Sequence, residues 1–249
     1  LMPDMKCAKW AVRELKKKHD KPFFMGVGFY RPHVPMYASK KWFDMHPRDQ
    51  VKLPAVRKGD LKDLSQYAID LTNLKHVSPT HKWVKGAGQW RHAVQSYLAS
   101  VTFADHCLGL VLDALDSSDY ADNTIIALFS DHGFHLGEHG LWAKTSCFEW
   151  DASVPMIIAT PKQNHPGQST AALAELLDLY PTLTELASLP EPKHLEGKSL
   201  VPVLRNPKAT IKPAAYTQHP RPAYFKGKPE AMGYSMRTAT ARSSSASPT

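Results

Sequence analysis

Thr124 to Phe129 reads TIIALF, an uncharged run of mostly branched residues, and it passes directly into SDHGFHLGEHGLWAK, Ser130 to Lys144. This junction constrains the fold more than any other feature of the chain. A short apolar run bounded by turn residues predicts a strand buried on both faces. The segment after it holds three histidines and three glycines. It cannot continue the strand, so the chain must turn at the strand's carboxyl end. In an open α/β sheet that edge is where ligands bind.

Other segments supply the partners such a strand needs. VPMIIAT, Val154 to Thr160, predicts a second interior strand. The apolar part of KPFFMGVGFYRPHVP, Phe23 to Phe29, is too short and glycine-rich for a helix and predicts a third. It stops at a proline-rich loop, Pro32 to Pro35, that carries His33. Lys6 to His19 predicts a helix with basic residues at its C-terminal end, where they suit the helix dipole. Gln89 to Ser117 is the clearest helix: Tyr97, Val101, Ala104, Leu108, Val111 and Leu115 recur at steps of four and three as one apolar stripe. A further helix spans Asp178 to Leu189, with Pro181 in its first turn, where the missing N–H costs nothing. AAYTQHP and GYSMRT predict two more short strands. Met36 to Gln89 is polar and proline-punctuated, either a functional excursion or a set of short helices. The order of elements predicts an α/β fold with a mixed, mostly parallel sheet sandwiched by helices. Residues 1–238 read as one domain and 239–249, ATARSSSASPT, as an uncommitted or disordered tail.

Bulk properties narrow the function classes. The 249 residues carry a formal net charge of +8 and a pI near 9.3, which favours acidic partners. The excess is spread along the chain, with one run at Lys16, Lys17 and Lys18, and no nucleic-acid motif accompanies it; no nucleic-acid partner is expected. Three cysteines without CxxC spacing give neither a disulfide framework nor a zinc site. No segment reads as a run of about 18 apolar residues, so no membrane span is expected. No signal peptide opens the chain. It begins at Leu1 and reads as a fragment, so a targeting signal could precede it. Nothing indicates an oligomeric state.

Four residues carry the candidate chemistry. Asp131 and His132, adjacent on a loop at a strand end, can both ligate one divalent cation, and an oxygen-rich site selects a hard ion such as calcium or magnesium. Lys144 lies thirteen residues after Asp131 and brings a mobile point charge suited to an anionic oxygen. His33, after another strand, could reach the same edge and donate a hydrogen bond. Together they suit a sulfuryl or phosphoryl ester. Each has a plainer explanation alone: Asp131 as a turn residue, His33 as a surface histidine, Lys144 as one solvated lysine among many. His135 and His139 read as turn and packing residues, Cys107 as packing, and Cys147 as packing or an exposed thiol.

The same residues carry a resemblance. SDHGFHLGEHGLWAK resembles a metal- and sulfate-binding segment of sulfatases, in the alkaline phosphatase superfamily. KPFFMGVGFYRPHVP, QSYLASVTFADHCLGLVLDAL, VPMIIATP and LLDLYPTLTELASL resemble family segments in the same order. YTQHPRP and GYSMRT look like the iduronate-2-sulfatase branch. The resemblance implies an alkaline phosphatase-like α/β fold, truncated at both ends. It implies that Asp131 and His132 ligate a divalent cation, usually Ca2+, and that His33 and Lys144 contact the sulfate as catalytic and substrate-binding residues. It implies a formylglycine nucleophile made from C/S-x-P-x-R, but no such motif lies in these residues, and the family's Asp-Asp metal pair is also missing. The expectation is therefore a sulfuric ester hydrolase acting on a small-molecule or glycan sulfate ester, present as a piece inactive alone. A phosphodiester or phosphonate hydrolase of the same superfamily, and a non-catalytic sulfated-glycan-binding chain, are the alternatives. The resemblance is compatible with a secreted, periplasmic or lysosomal-type compartment for the parent.

Overall fold

In a computed structural model, residues 2–66, 69–70, 78–221, 226–240 and 242–248 are described, the last group by backbone alone. Parts of the polar stretch 36–89, and Pro222 of YTQHPRP, lie outside them. The chain divides into two compact units, Leu1–Ala55 with Lys82–Thr124, and Val56–His81 with Ile125–Thr249. The fold is mixed α/β, as the order of elements predicts.

The first unit is helical: α1 (Pro3–Leu15), α2 (Lys40–Asp44), α3 (His81–Gly86, starting at the unit boundary) and α4 (Trp90–Asp116). α1 starts and stops earlier than the predicted Lys6 to His19. Pro3 sits in its first turn with Asp4, a favourable opening. His19 lies beyond the helix, its ring Nε2 3.0 Å from the Glu14 carbonyl, so it serves one of the orphan acceptors at the helix end. α4 matches the prediction within a residue at each end. Its buried side differs from the predicted stripe. Ala99, Phe103 and Cys107, four apart, pack with Ala8 and Trp42 into the unit's core, whereas Val101 is 39% exposed. α4 is apolar on more than one face, so periodicity alone could not select the face that this core takes. By length and composition α4 is also apolar enough to cross a membrane, contrary to the sequence reading. In this unit it packs against α1 and α2.

Phe23 to Phe29, predicted as a strand, is not one. It joins no ladder among the described residues, and Phe24 is 88% exposed. Apolar composition favours burial, but a strand exists only where a neighbour accepts its N–H groups.

The second unit holds β1 (Ile126–Phe129) and β4 (Met156–Ala159), paired from Ile126↔Ala159 to Phe129↔Met156. Between them come a small hairpin, β2 (His135–Leu136) with β3 (Trp142–Ala143), and α5 (Glu149–Ala152). Further along are α6 (Leu179–Leu186) and α7 (Val201–Arg205). A single 3-10 turn, Leu176–Asp178, leads into α6, and Pro181 falls in its first turn as expected. β5 (Ala214–Arg221), β6 (Ala231–Thr238) and β7 (Arg242–Pro248) form a meander in that order. Residues 239–249 read as an uncommitted tail in the sequence; Arg242–Pro248 instead pair along β6 from Arg237↔Arg242 to Ala231↔Pro248. Small side chains give no apolar signal, yet each backbone still offers one donor and one acceptor to an open sheet edge. Every strand pair among the described residues is antiparallel, where the sequence reading favoured a mostly parallel sheet. The chain leaves β1, folds through the hairpin and α5, and returns along β4 in the opposite direction.

Candidate functional site

The Ser130–Lys144 stretch is a hairpin clamped at its base. Beyond β1 the Ser130 hydroxyl donates to the His132 carbonyl at 2.8 Å, closing a tight turn around Asp131. The Gly133 N–H then donates to the Asp151 carbonyl at 2.8 Å. A Cβ on Gly133 would lie 1.9 Å from the Trp150 carbonyl oxygen, so no larger residue fits without moving the backbone. β2 leads away, and the chain reverses through Gly137 (φ 126°), His139 (φ 53°) and Gly140 (φ 71°). β3 returns with Ala143 opposite His135. Lys144, next in the chain, therefore leaves the ladder at the end where His132 and Gly133 stand.

Asp131 and His132 lie side by side. His132 Nε2 is 3.3 Å from Asp131 Oδ2, with the Asp131 side chain 80% exposed and that of His132 mostly covered. His132 Nδ1 lies 2.7 Å from the Gly133 carbonyl. A ring that donates Nδ1–H to a carbonyl keeps its Nε2 lone pair open, the usual orientation of a metal-ligating histidine. One carboxylate oxygen and one imidazole nitrogen thus face the same space and fit two positions around a divalent cation. Among the described residues no group of three or more histidine, cysteine or acidic side chains is placed to hold a metal.

Lys144 is half-buried, and its ammonium has no hydrogen-bond or ion-pair partner among the described residues. The backbone after it is fixed from two directions. Arg221, buried at the end of β5, donates to the Thr145 carbonyl at 2.7 Å. Ser146 donates through its N–H (2.8 Å) and its hydroxyl (2.5 Å) to Asp151. The lysine is thus a mobile cation on an anchored stem.

His33 belongs to the first unit. Its ring stacks on Tyr30, centroids 4.6 Å apart, and Nδ1 lies 2.7 Å from the Val34 carbonyl. The Tyr30 N–H donates to the buried carboxylate of Asp4 at 2.5 Å, which fixes the start of the loop. The structure brings Asp131, His132 and Lys144 to one hairpin of the second unit; His33 stands on its own loop in the first.

His135 and His139 were read as turn and packing residues, and they pack. His135 is fully buried with Nδ1 2.6 Å from Asp151 Oδ1, while His139 stacks on Phe148 (4.3 Å) and pairs with Asp60 (2.6 Å). Cys107 and Cys147 are both buried. Sequence reasoning missed Asp151 and Arg221. Neither belongs to a motif: Arg221 acts on a residue 76 positions away, and Asp151 joins Ser146, five residues back, to His135 and Gly133 further off. It also gave no role to His219, whose Nδ1 lies 3.1 Å from an Arg221 nitrogen. Burial, helped by the Arg221 charge and opposed by the Pro220 carbonyl, holds that imidazole below its usual range.

Comparison with known proteins places this hairpin in context. The family described as "Sulfatase" matches residues 2–189. A "Sulfatase" of Formosa agariphila is 41% identical over 206 residues, covering 82% of this chain and 40% of that protein. The mouse "Iduronate 2-sulfatase" is 32% identical, covering 95% of this chain and 54% of that protein. The chain thus spans about half the length of the curated relatives it matches. Among solved structures, a phosphonate monoester hydrolase of Silicibacter pomeroyi superposes with a TM-score of 0.81 at 20% identity, covering 99% of this chain and 54% of that one. That likeness bears on fold alone and agrees with an alkaline phosphatase-like architecture. With three-quarters of its residues matched by the family and its DHG hairpin intact, the chain belongs to the sulfatase family.

Proposed function

We propose that this chain contributes the cation- and anion-holding half of a sulfuric ester hydrolase acting on small-molecule or glycan sulfate esters. One observation carries the reading: Asp131 and His132 stand side by side at the end of β1, and the hairpin returns Lys144, without an ionic partner among the described residues, to that end. Asp131 Oδ2 and His132 Nε2 would hold a divalent cation such as Ca2+, whose bound charge offsets negative charge on a transferring sulfuryl group. Lys144 places its ammonium on a sulfate oxygen. Cationic groups aimed at developing charge are usually the largest single contribution such sites make. The sulfur nucleophile, a formylglycine by family resemblance, is not among these residues, which contain no C/S-x-P-x-R. The 249 residues alone therefore bind a sulfate ester without cleaving it.

The test titrates the chain with p-nitrophenyl sulfate and with p-nitrophenyl phenylphosphonate, following amide resonances and nitrophenol release. Sulfate ester binding without turnover, weakened about tenfold or more by Lys144→Ala, is the expected result. Turnover that Lys144→Ala abolishes overturns the inactive-piece reading. Binding indifferent to both Lys144→Ala and Asp131→Ala overturns the site. A clear preference for the phosphonate favours the phosphonate hydrolase alternative.

A further inference from the structure

We infer that Asp151 is a positioning residue that sets the spacing between the cation ligands and the sulfate-holding lysine, acting through His135 and Ser146. This rests on the reading of the hairpin given above. Asp151 lies within the single turn of α5, is 5% exposed, and touches both flanks of the candidate site. Its backbone carbonyl accepts the Gly133 N–H, one residue past His132, at 2.8 Å. Oδ1 faces His135 Nδ1 at 2.6 Å. Oδ2 accepts the Ser146 N–H and hydroxyl at 2.8 and 2.5 Å, two residues past Lys144. Three donors on one buried carboxylate, plus its own carbonyl, thus hold both edges of the hairpin to one point.

The chemistry needs a carboxylate here. All three side-chain contacts come from donors, and only a group with acceptors on both oxygens can take them together. An amide of the same shape would either face the Ser146 donors with its NH2 or turn it toward His135 and force that ring's proton from Nδ1 onto the buried, unpartnered Nε2. The charge is also buried. His135 contributes through Nδ1 alone: its Nε2 is buried with no hydrogen-bond partner among the described residues, and its ring packs near His139 and Phe148. Support of this kind behind metal-binding side chains commonly alters affinity by 10–100-fold.

The experiment uses the whole chain and two probes, calcium chloride alone and sodium sulfate alone. Dissociation constants come from amide shifts along the hairpin. Asp151→Asn and His135→Leu are expected to weaken both about tenfold, while His135→Asn, whose amide can occupy the Nδ1 position, restores them to near wild type. Asp178→Asn, which removes a buried carboxylate elsewhere in the same unit, is expected to lower the unfolding midpoint and leave both constants unchanged. Asp151→Asn within about twofold of wild type for both probes overturns the inference. Should Asp151→Asn not fold, the His135 pair decides, and equal constants for Leu and Asn overturn it. Failure of the underlying reading looks different: wild type then binds neither probe, or Asp131→Ala and Lys144→Ala change nothing, and the inference falls with it.

Discussion

Replacing Lys212 with methionine tests a buried ionic network of the second unit. Lys212 Nζ donates to Glu175 Oε2 at 2.6 Å and to Asp178 Oδ1 at 2.7 Å. Both partners are already committed to backbone. Glu175 Oε1 accepts the Tyr216 N–H of β5, and the two Asp178 oxygens accept the N–H groups of Lys198 and Glu175. Asp178 is fully buried and the lysine nearly so. Methionine fills similar volume but removes two charge-assisted hydrogen bonds, about 1.5–3 kcal/mol each. Removing one partner of a buried ionic pair typically costs about 3–5 kcal/mol in all, the lost bonds included, and that is the cost expected here. Burial alone would lower the Lys212 pKa, but the hydrogen bonds and charges of Asp178 and Glu175 outweigh it and raise the pKa above its ordinary 10.5. A raised lysine contributes stability that is fully present below 10.5 and is lost as pH rises through the higher folded-state value. Urea unfolding followed by tryptophan fluorescence, near neutral pH and then at rising alkaline pH, measures both effects. The reasoning fails if Lys212→Met costs less than about 1 kcal/mol near neutral pH, or if its alkaline loss of stability matches that of wild type.

Two further outcomes follow from packing. Gly133→Ala forces a methyl group against the Trp150 carbonyl, where the Cβ would lie 1.9 Å from the oxygen, and is expected to cost about 1–3 kcal/mol in urea unfolding; a loss indistinguishable from zero would mean that the backbone there yields freely. Cys7 is exposed, whereas Cys107 and Cys147 are buried, and burial, with Asp4 and Cys7 adding to it, pushes the Cys107 thiol up to about 11. A thiol reagent at mildly alkaline pH should modify Cys7 fast and the other two only in denaturant; rapid modification of Cys107 in the native chain would contradict the packing of α1 against α4.

The parts legible in the sequence share one property: they are set by neighbours in the chain. β1 and β4 were readable as uncharged, branched runs closed by turn residues. α4 was readable from its length and period. The side-by-side placement of Asp131 and His132 follows from adjacency at a strand end. What the sequence hid depends on partners far away. Phe23 to Phe29 has the composition of a buried strand, but no neighbour among the described residues pairs with it. Arg242–Pro248 has the composition of a tail, yet the edge of β6 supplies a ladder. The buried side of α4 was hidden for a third reason. Several faces are apolar enough to bury, and the positions of Ala8 and Trp42 decide which one this core takes.

The support of the site was hidden for a related reason. Asp151 and Asp178 are both acidic residues at the edge of a short helical segment, where a surface carboxylate would be unremarkable. In the fold each becomes a receiver of several donors, and the backbone N–H groups among them leave no trace in the identity of their own side chains. Any residue but proline can offer an N–H, so Ser146, Glu175 and Lys198 carry no pattern that points back to their acceptor. The reactive groups of a site must be particular residue types, and a motif can therefore announce them. A carboxylate that holds a backbone in place is one acidic residue among many in the sequence, and only the tertiary fold decides which of them receives the donors. This is why Asp131, His132 and Lys144 could be proposed as a site from one stretch of sequence, while the carboxylate linking the backbone beside them emerged only from the structure.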